Sequence, residues 1–477
     1  MSKLYVFGIG GTGSRVLKSL VMLLASGVEC KMDIVPVIID PDDSAADMTR
    51  TVELMKKYKA IRNNKYLEFA DANKNRFFKT ELQSVDGMQD FIFSLENTHD
   101  GKFKDFIKMD QLDPSSKALV KMLFSEKNLE SDMKVGFKGN PNIGSVVLNQ
   151  FADSQEYKNF ANGFADDGKD RIFIISSIFG GTGASGFPLL LKTIRNDKNS
   201  QKWKAISECK IGAVTVMPYF GVTQDDNSEV DSSTFISKTK SALAYYEKNI
   251  SGNNSLDALY YIGDLVTASY ENCEGGSGQR NDAHFIELCS ALAVLDFANT
   301  PNEAFDGGTR HFEYGLKDDN NGNELTFKNL GEKTKKSIIV PLTQFVLMNR
   351  YLSYGFEKGG KSLPWAIDNQ LDDNFFSGYF FEQVQSFHQD FHQWLKEMAG
   401  NKRAFMPFDA DKVNPLFEIV NGYKPKSSFL GKKNYDLFDA TLNSSWKGWN
   451  GAASREQKFM ELFYRATEKL VNEKYNM

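Results

Sequence analysis

The sequence has little of what marks secreted, membrane-spanning or nucleic-acid-binding proteins. Its 477 residues include only four cysteines, scattered along the chain, which argues against a disulfide framework or a zinc knuckle. Lysine and arginine number 57 against 62 acids, and a net charge of −5 offers no basic surplus for nucleic acid or anionic membrane. The apolar run Val16 to Ala25 is interrupted by Lys18 and is too short to span a bilayer. We therefore expect a soluble, cytoplasmic protein without a transmembrane segment.

The composition is that of a globular protein with an aromatic interior. Hydrophobic residues make up 41% of the chain, charged residues make up 25%, and there are 38 phenylalanines. Phenylalanine side chains bury large apolar areas, so we expect cores rich in aromatic packing. At roughly 150 residues per domain, the length predicts about two or three domains.

Glycine-rich turns between predicted strands and helices are the main motif of the N-terminal part. The first turn, Gly8 to Gly13, follows the apolar run Leu4 to Phe7 and precedes apolar residues at helical spacing. A second predicted strand, Ile34 to Ile39, ends at Asp40. Glycine lets the backbone approach a phosphate and direct N–H groups at it from the positive end of a helix. Alone, the pattern also fits a tight structural turn.

Two further glycine turns strengthen the nucleotide interpretation. One spans Gly136 to Gly144 and contains Gly139-Asn140-Pro141, which forces a turn before a predicted helix. The other, Phe179 to Gly186, follows the predicted strand Asp170 to Ser177, and we predict a helix from Pro188 to Ile194. Three such turns at one sheet edge are hard to explain by structure alone. We therefore predict that they bind one nucleotide together.

These turns resemble the phosphate loops of the tubulin/FtsZ superfamily. Gly10-Gly11-Thr12-Gly13 is similar to the first loop of the family, Gly139 to Gly144 to the FtsZ loop GANPEVG, and Gly180-Gly181-Thr182-Gly183 to the tubulin signature GGTGTGAAP. The resemblance implies an α/β fold with a parallel sheet flanked by helices. It places a GTP-binding domain at 1–280 with a helical insertion at about 42–135, a long central helix at 281–300, and a helix-rich C-terminal α+β region at 301–477.

The resemblance also implies roles for individual residues. The first and third turns would hold the α- and β-phosphates of GTP, accompanied by Mg²⁺, and Gly139 and Asn140 would surround the γ-phosphate. Asn281, at the start of the central helix, would contact the base. Asp40 would help to position the magnesium shell or the sugar. Lys138 stands where the family has a small residue, and we expect it to point outward.

Two acids mark a candidate catalytic loop. In the family, the loop after the central helix carries two acids that act on the nucleotide of the next subunit, so hydrolysis depends on polymerisation. Pro301 predicts the end of this helix, and Glu303 and Asp306 follow it. The resemblance implies that these acids orient or polarise the attacking water. An ordinary solvated turn explains the same residues equally simply.

The C-terminal third departs from the family. Only Ser337 to Val340 and Gln344 to Leu347 are predicted as strands, and helices dominate the rest. Two apolar stripes at helical spacing are interpreted as the core of the region itself, with a partner-binding seam as the alternative. They comprise Phe380, Val384, Phe387, Phe391, Trp394 and Met398, and Phe459, Leu462, Phe463, Ala466 and Leu470.

Three functional hypotheses remain open. The first is a tubulin/FtsZ-like GTPase that assembles head to tail into filaments and hydrolyses GTP at the subunit contact. The second is a nucleotide-binding switch that does not polymerise and engages a protein partner through its C-terminal helices. The third is an ATP-dependent adenylating enzyme resembling the ubiquitin-activating family. That hypothesis fits Gly8 to Gly13 and the acidic run Asp40 to Asp43, but leaves the other two turns unexplained.

Overall fold

The elements of the fold come from a computed structural model, which describes residues 2–42, 44–67, 74–95, 101–133, 136–137, 139–198, 200–222, 233–265, 269–270, 276–278, 280–317, 322–356, 359–426, 431–446 and 453–477. Lys138 lies outside these residues. The strands are β1 (Lys3–Ile9), β2 (Asp33–Ile39), β3 (Arg171–Ser177), β4 (Ile211–Val216), β5 (Gly221–Val222), β6 (Ala258–Ile262), β7 (Ser269–Tyr270), β8 (Arg310–Glu313), β9 (Glu324–Leu325) and β10 (Ala404–Phe405). The α-helices are α1 (Gly10–Ala25), α2 (Ala46–Arg62), α3 (Phe103–Phe106), α4 (Pro114–Leu123), α5 (Glu126–Leu129), α6 (Pro141–Val147), α7 (Gln155–Gly163), α8 (Gly181–Asn196), α9 (Trp203–Glu208), α10 (Ser233–Tyr246), α11 (Phe285–Asn299), α12 (Glu332–Arg350), α13 (Pro364–Ile367), α14 (Asp373–Phe376), α15 (Tyr379–Gly400), α16 (Asn434–Ser445) and α17 (Arg455–Lys474).

A six-stranded sheet forms the centre of the fold. Its strand order is β2-β1-β3-β4-β6-β8, and every neighbouring pair is parallel. The first four strands in chain order are almost entirely buried, as expected for a parallel sheet with helices on both faces. The predicted α/β class is therefore confirmed. Since β8 follows α11, the sheet also includes residues that the predicted division assigned to the C-terminal region.

Helices cover both faces of this sheet. On one face, α1 packs against α2 and α11. On the other, Tyr5 and Phe7 of β1 contact Phe160 of α7, with ring centroids 5.0 and 5.2 Å apart. Side chains alternate between the faces of a strand, so this strand contributes to both layers of the core. Within the described residues, no helix is long and apolar enough to cross a membrane.

The prediction of two strands at Ser337 to Val340 and Gln344 to Leu347 is wrong. Both segments belong to the single helix α12, which continues through Pro341. The spacing of the buried residues Ile338, Leu342 and Phe345 is helical, although the β-branched run favours a strand. Tertiary packing therefore outweighs local propensity. Both apolar stripes of the C-terminal region, on α15 and α17, are buried within the chain itself.

Two helices begin at residues other than those predicted. α8 begins at Gly181, so the third glycine turn forms its first turn and Pro188 lies inside the helix. α11 begins at Phe285, because His284 caps it: His284 Nδ1 accepts a hydrogen bond from the Ile286 amide, and the Glu287 carboxylate accepts one from the His284 amide. Burial lowers the pKa of His284 to about 3, which keeps this acceptor nitrogen unprotonated.

Replacement of Phe345 tests the corrected assignment of α12. Its ring packs on Phe77, Phe391 and His388, with centroids 5.1, 4.8 and 4.4 Å away. Phe345→Ala should lower the free energy of unfolding by about 3–5 kcal/mol, because it leaves a cavity among these rings. Chemical denaturation measures the change. Ile367→Ala, at a side chain that is 62% exposed, should change it by less than about 0.5 kcal/mol. Equal effects of the two substitutions would contradict this packing.

Candidate functional site

The three glycine turns meet at the carboxyl edge of the sheet. Gly10 has a φ of +72°, and a β-carbon there would lie 3.4 Å from the β-carbon of Thr182. A β-carbon on Gly181 would lie 3.0 Å from the amide nitrogen of Asn140 and 3.1 Å from Cα of Gly139. Such close approach requires glycine. The structure thus brings together the predicted phosphate-binding residues of all three turns.

The first and third turns present helix amino termini. Gly10 to Gly13 form the first turn of α1, and Gly181 to Gly183 lie in the first turn of α8. Among the described residues, no side chain caps either helix, and neither first turn contains an acid. The first N–H groups of a helix have no partner inside the helix and carry the positive end of its dipole. Two such termini side by side can bind an anion with several phosphate groups.

The second turn is different, because its own side chain caps the helix that follows. Asn140 Oδ1 accepts hydrogen bonds from the amides of Asn142 and Ile143, at 3.1 and 3.4 Å. Pro141 occupies the first position of α6, where the missing N–H costs nothing. Asn140 is therefore a structural cap here, in addition to its place beside Gly181.

A buried ion network lies directly behind the first glycine turn. The Arg15 guanidinium donates to Glu287 Oε1 at 2.5 Å, to Asp47 Oδ2 at 2.7 Å and to the Tyr219 hydroxyl at 3.2 Å. Burial lowers the pKa of Arg15, but the opposing charges of Tyr219, Glu287 and Asp47 more than offset this and hold it well above its ordinary value. Arg15 thus joins α1, α2 and α11.

A second part of the network extends to the C-terminal region. Glu397 of α15 accepts from Lys18 Nζ at 2.8 Å, from Arg50 at 2.9 Å and from the Ala283 amide at 3.1 Å. Arg50 also donates to Asp47 at 2.8 Å. Burial alone would raise the pKa of Glu397, but the Lys18 charge and hydrogen bond lower it. Three basic and three acidic side chains are therefore neutralised together beside the candidate site.

Asn281, the predicted base-contacting residue, lies four residues before α11. Its side-chain amide donates to Asp47 Oδ2 at 2.7 Å, and its backbone amide donates to Asp47 Oδ1 at 3.1 Å. Its carbonyl accepts from Arg50. Contact with a base stays a prediction. The structure shows that Asp47 and Arg50 hold this asparagine beside the Arg15 network.

Asp40 lies directly after β2, at the sheet edge where the glycine turns meet. One carboxylate oxygen accepts from the Asp42 amide at 3.1 Å. Burial, reinforced by the charges of Asp42 and Asp47, raises the pKa of Asp40 to about 7. A neighbouring cation would stabilise the ionised form of this carboxyl group. Oxygen ligands and one or two carboxylates are what Mg²⁺ prefers, so Asp40 fits the predicted role.

The two predicted catalytic acids lie at the opposite edge of the sheet. The Arg171 side chain, at the start of β3, donates to the carbonyls of Phe297 and Thr300 at 2.7 and 2.8 Å, which fixes the end of α11 at the amino ends of the strands. Glu303 is exposed, and Asp306 accepts from Lys210 Nζ at 3.1 Å. The structure therefore does not bring these acids to the glycine turns of the same chain.

The comparisons with known proteins yield solved structures alone. The chain matches no family model and no curated protein sequence. It is similar to the GDP-bound monomer of CetZ1 from Haloferax volcanii, with 13% identity, a TM-score of 0.33, and coverage of 64% of this chain and 65% of that one. It is also similar to the GTPgS-bound protofilament of CetZ2 from Haloferax volcanii, with 12% identity, a TM-score of 0.28, and coverage of 63% and 60%. An empty FtsZ dimer from M. jannaschii matches with 16% identity, a TM-score of 0.27, and coverage of 55% and 45%. Each match spans less than two thirds of the solved chain.

Sequence reasoning missed the residues that form the ion network. The available signal was the presence of Arg15 and Lys18 in α1, a helix whose other residues are mostly apolar and buried. A charge in such a helix needs an opposite charge as partner. The partners Asp47, Glu287 and Glu397 could not be identified, because they are distant in sequence and each helix contains other acids.

Replacement of Arg15 tests the network. Arg15→Met should lower the free energy of unfolding by about 3–5 kcal/mol, because it leaves Asp47 and Glu287 buried without their main cation. Chemical denaturation without nucleotide measures the change. Lys56→Met is the matched control: it removes exposed pairs with Glu53 and Asp90, and such pairs contribute about 0–1 kcal/mol. A loss no larger than the control would contradict a stabilising role for Arg15.

The raised pKa of Asp40 predicts a pH dependence of stability. An unfolded chain would have this group at about pKa 3.9, so between pH 4 and 7 the folded state binds more protons than the unfolded state. The free energy of unfolding should therefore fall as pH rises through this window. Asp40→Asn should remove this fall in stability. The free energy of unfolding of the variant, relative to that of the unmodified chain, should therefore increase up to about pH 7.

Denaturation at a series of pH values measures this difference. Asp282→Asn, at an exposed position near the same edge, is the matched control. A difference between the Asp40 variant and the unmodified chain that stays constant between pH 4 and 8 would contradict the shifted pKa.

Proposed function

We propose that this chain is a tubulin/FtsZ-like protein that binds GTP with Mg²⁺ where its three glycine turns meet. The observation that carries the proposal is that the three turns approach one another closely, with the amino termini of α1 and α8 side by side. In this arrangement Gly10 to Gly13 and Gly180 to Gly183 bind the α- and β-phosphates through backbone amides. Such a site needs no basic surplus, in agreement with the net charge of −5.

The remaining groups of the proposed site surround the same point. Gly139 and Asn140 lie against Gly181 and face the terminal phosphate, and Asn281 contacts the base. Asp40 would hold the magnesium ion through water or directly, and the ion would neutralise phosphate charge. An adenylating enzyme would not use the second and third turns, so the joined turns favour the GTP-binding hypothesis.

We further propose that hydrolysis takes place between subunits. α11 has 15 residues and runs from the Arg15 network to the amino edge of the sheet, a length of about 22 Å at 1.5 Å per residue. Glu303 and Asp306 therefore lie too far away to act on a nucleotide bound by the same chain. Head-to-tail stacking would place the amino edge of one subunit on the carboxyl edge of the next. The two acids would then orient and polarise the attacking water.

Turnover of GTP tests this mechanism. The rate per molecule should rise steeply with protein concentration, because only assembled chains have a complete site. Glu303→Ala and Asp306→Ala should each lower turnover by roughly 100-fold, a usual contribution of acid–base catalysis, without loss of GTP binding. Glu468→Ala, at an exposed acid of α17, is the matched control. Turnover that is independent of concentration, or unaffected by both changes, would refute the mechanism between subunits.

A mixing experiment gives a sharper result. The double variant without both acids and a Gly10→Val variant, which cannot adopt the φ of +72° without strain, should each be inactive alone. If one chain supplies the acids and the next supplies the nucleotide, the mixture should regain turnover. If the acids act within their own chain, the mixture should stay inactive.

A non-polymerising switch is the second candidate function. The observation in its favour is that Asp306 is already paired with Lys210, so this acid would have to leave its partner before acting on a nucleotide. Electron microscopy with a slowly hydrolysed GTP analogue separates the two candidates. Filaments support assembly. Binding of the analogue by particles that remain single supports the switch.

A further inference from the structure

The second glycine turn has few backbone amides to offer a phosphate. The Asn140 amide donates to the Phe137 carbonyl at 2.7 Å, and the amides of Asn142 and Ile143 donate to Asn140 Oδ1. The Gly144 amide donates to the Asn140 carbonyl at 3.3 Å. Each of these four amides already has an acceptor within the turn or the helix. A donor from outside the turn would therefore strengthen the binding of a phosphate here.

A lysine from a different helix supplies a positive charge at this position. Lys238 belongs to α10, and its Nζ donates to the Gly139 carbonyl at 3.0 Å. A β-carbon on Gly139 would lie 3.8 Å from the same nitrogen. Gly139 also lies against Gly181 at the start of α8. The ammonium group is thus held on the turn that faces the amino terminus of α8. Lys238 as a residue is half-buried.

We propose that Lys238 contacts the terminal phosphate of the bound nucleotide and makes the site prefer a nucleoside triphosphate over a diphosphate. This inference rests on the proposed function and names the residue that would distinguish a triphosphate from a diphosphate at that site. An ammonium group has three donors and can exchange one acceptor for another, so its bond to the Gly139 carbonyl does not exclude bonds to phosphate oxygens. Hydrogen bonds between ionised groups are about twice as strong as neutral ones, and partial burial reduces their screening by salt.

The position of Lys238 also explains why sequence reasoning did not select it. Lys238 is about a hundred residues from the turn that it contacts, and α10 contains Lys240 as well. Lys240 is exposed, and it provides a control of the same charge on the same helix. A purely structural alternative is that Lys238 only ties α10 to the Gly139 carbonyl. That alternative predicts equal effects on triphosphate and diphosphate.

Binding measurements on the full chain distinguish these alternatives. Isothermal titration of GDP and of a slowly hydrolysed GTP analogue gives the ratio of the two dissociation constants. Lys238→Ala and Lys238→Gln should weaken binding of the triphosphate analogue by about tenfold to a hundredfold, the range for hydrogen bonds to charged groups. Binding of GDP should change by less than about threefold. Lys238→Arg should restore much of the preference, and Lys240→Ala should leave both constants unchanged.

The outcomes separate this inference from the proposed function. Equal weakening of both nucleotides, or no change in either, overturns the role of Lys238 while nucleotide binding stands. If the unmodified chain binds neither nucleotide, the proposed function is wrong and this inference fails with it. Thermal unfolding without nucleotide shows whether each variant is folded. If Lys238→Ala does not fold, the ratio measured for Lys238→Gln decides.

Discussion

The pairing of six charged side chains beside the first glycine turn, five of them buried and Arg50 partly buried, is the constraint on which the rest of the structure depends. They come from four helices that are distant in sequence, and each charge has an opposite charge as its partner. Removing ions from water costs several kcal/mol per ion, and only close partners in good geometry offset that cost. The relative positions of α1, α2, α11 and α15 are therefore fixed together. The six residues are Arg15, Lys18, Asp47, Arg50, Glu287 and Glu397.

The ion network also helps to fix α11, the helix that runs between the two edges of the sheet. The network fixes the start of α11 behind the glycine turns, and Arg171 fixes its end at the amino edge of the sheet. One chain thus presents the glycine turns that are proposed to bind phosphate at one edge and exposed acids, Glu303 and Asp306, at the other. Neither edge by itself contains all the groups that hydrolysis would need. This separation is the physical reason for proposing chemistry that depends on assembly.

The predictions from sequence succeeded where the signal was local. The strands around Val6, Val37 and Ile174 were predicted correctly, since a buried parallel strand is a continuous apolar run between turn residues. They failed where a distant part of the chain decided the conformation. α12 is a helix because Phe345 packs among aromatic rings from other segments, although its β-branched residues favour a strand. The third turn forms the start of α8, where Gly181 lies against Gly139 of the second turn.

The sequence by itself determined the α/β class, the strand segments of the central sheet and the three glycine turns, because each depends on residues that are neighbours in the chain. Their meeting was predicted as well, but only the tertiary structure decided how closely these turns approach, that Asn140 caps its own helix, and that Lys238 lies on the second turn. It also decided which acids neutralise Arg15. Such contacts join residues far apart in sequence, and many lysines and carboxylates could satisfy them until packing selects one.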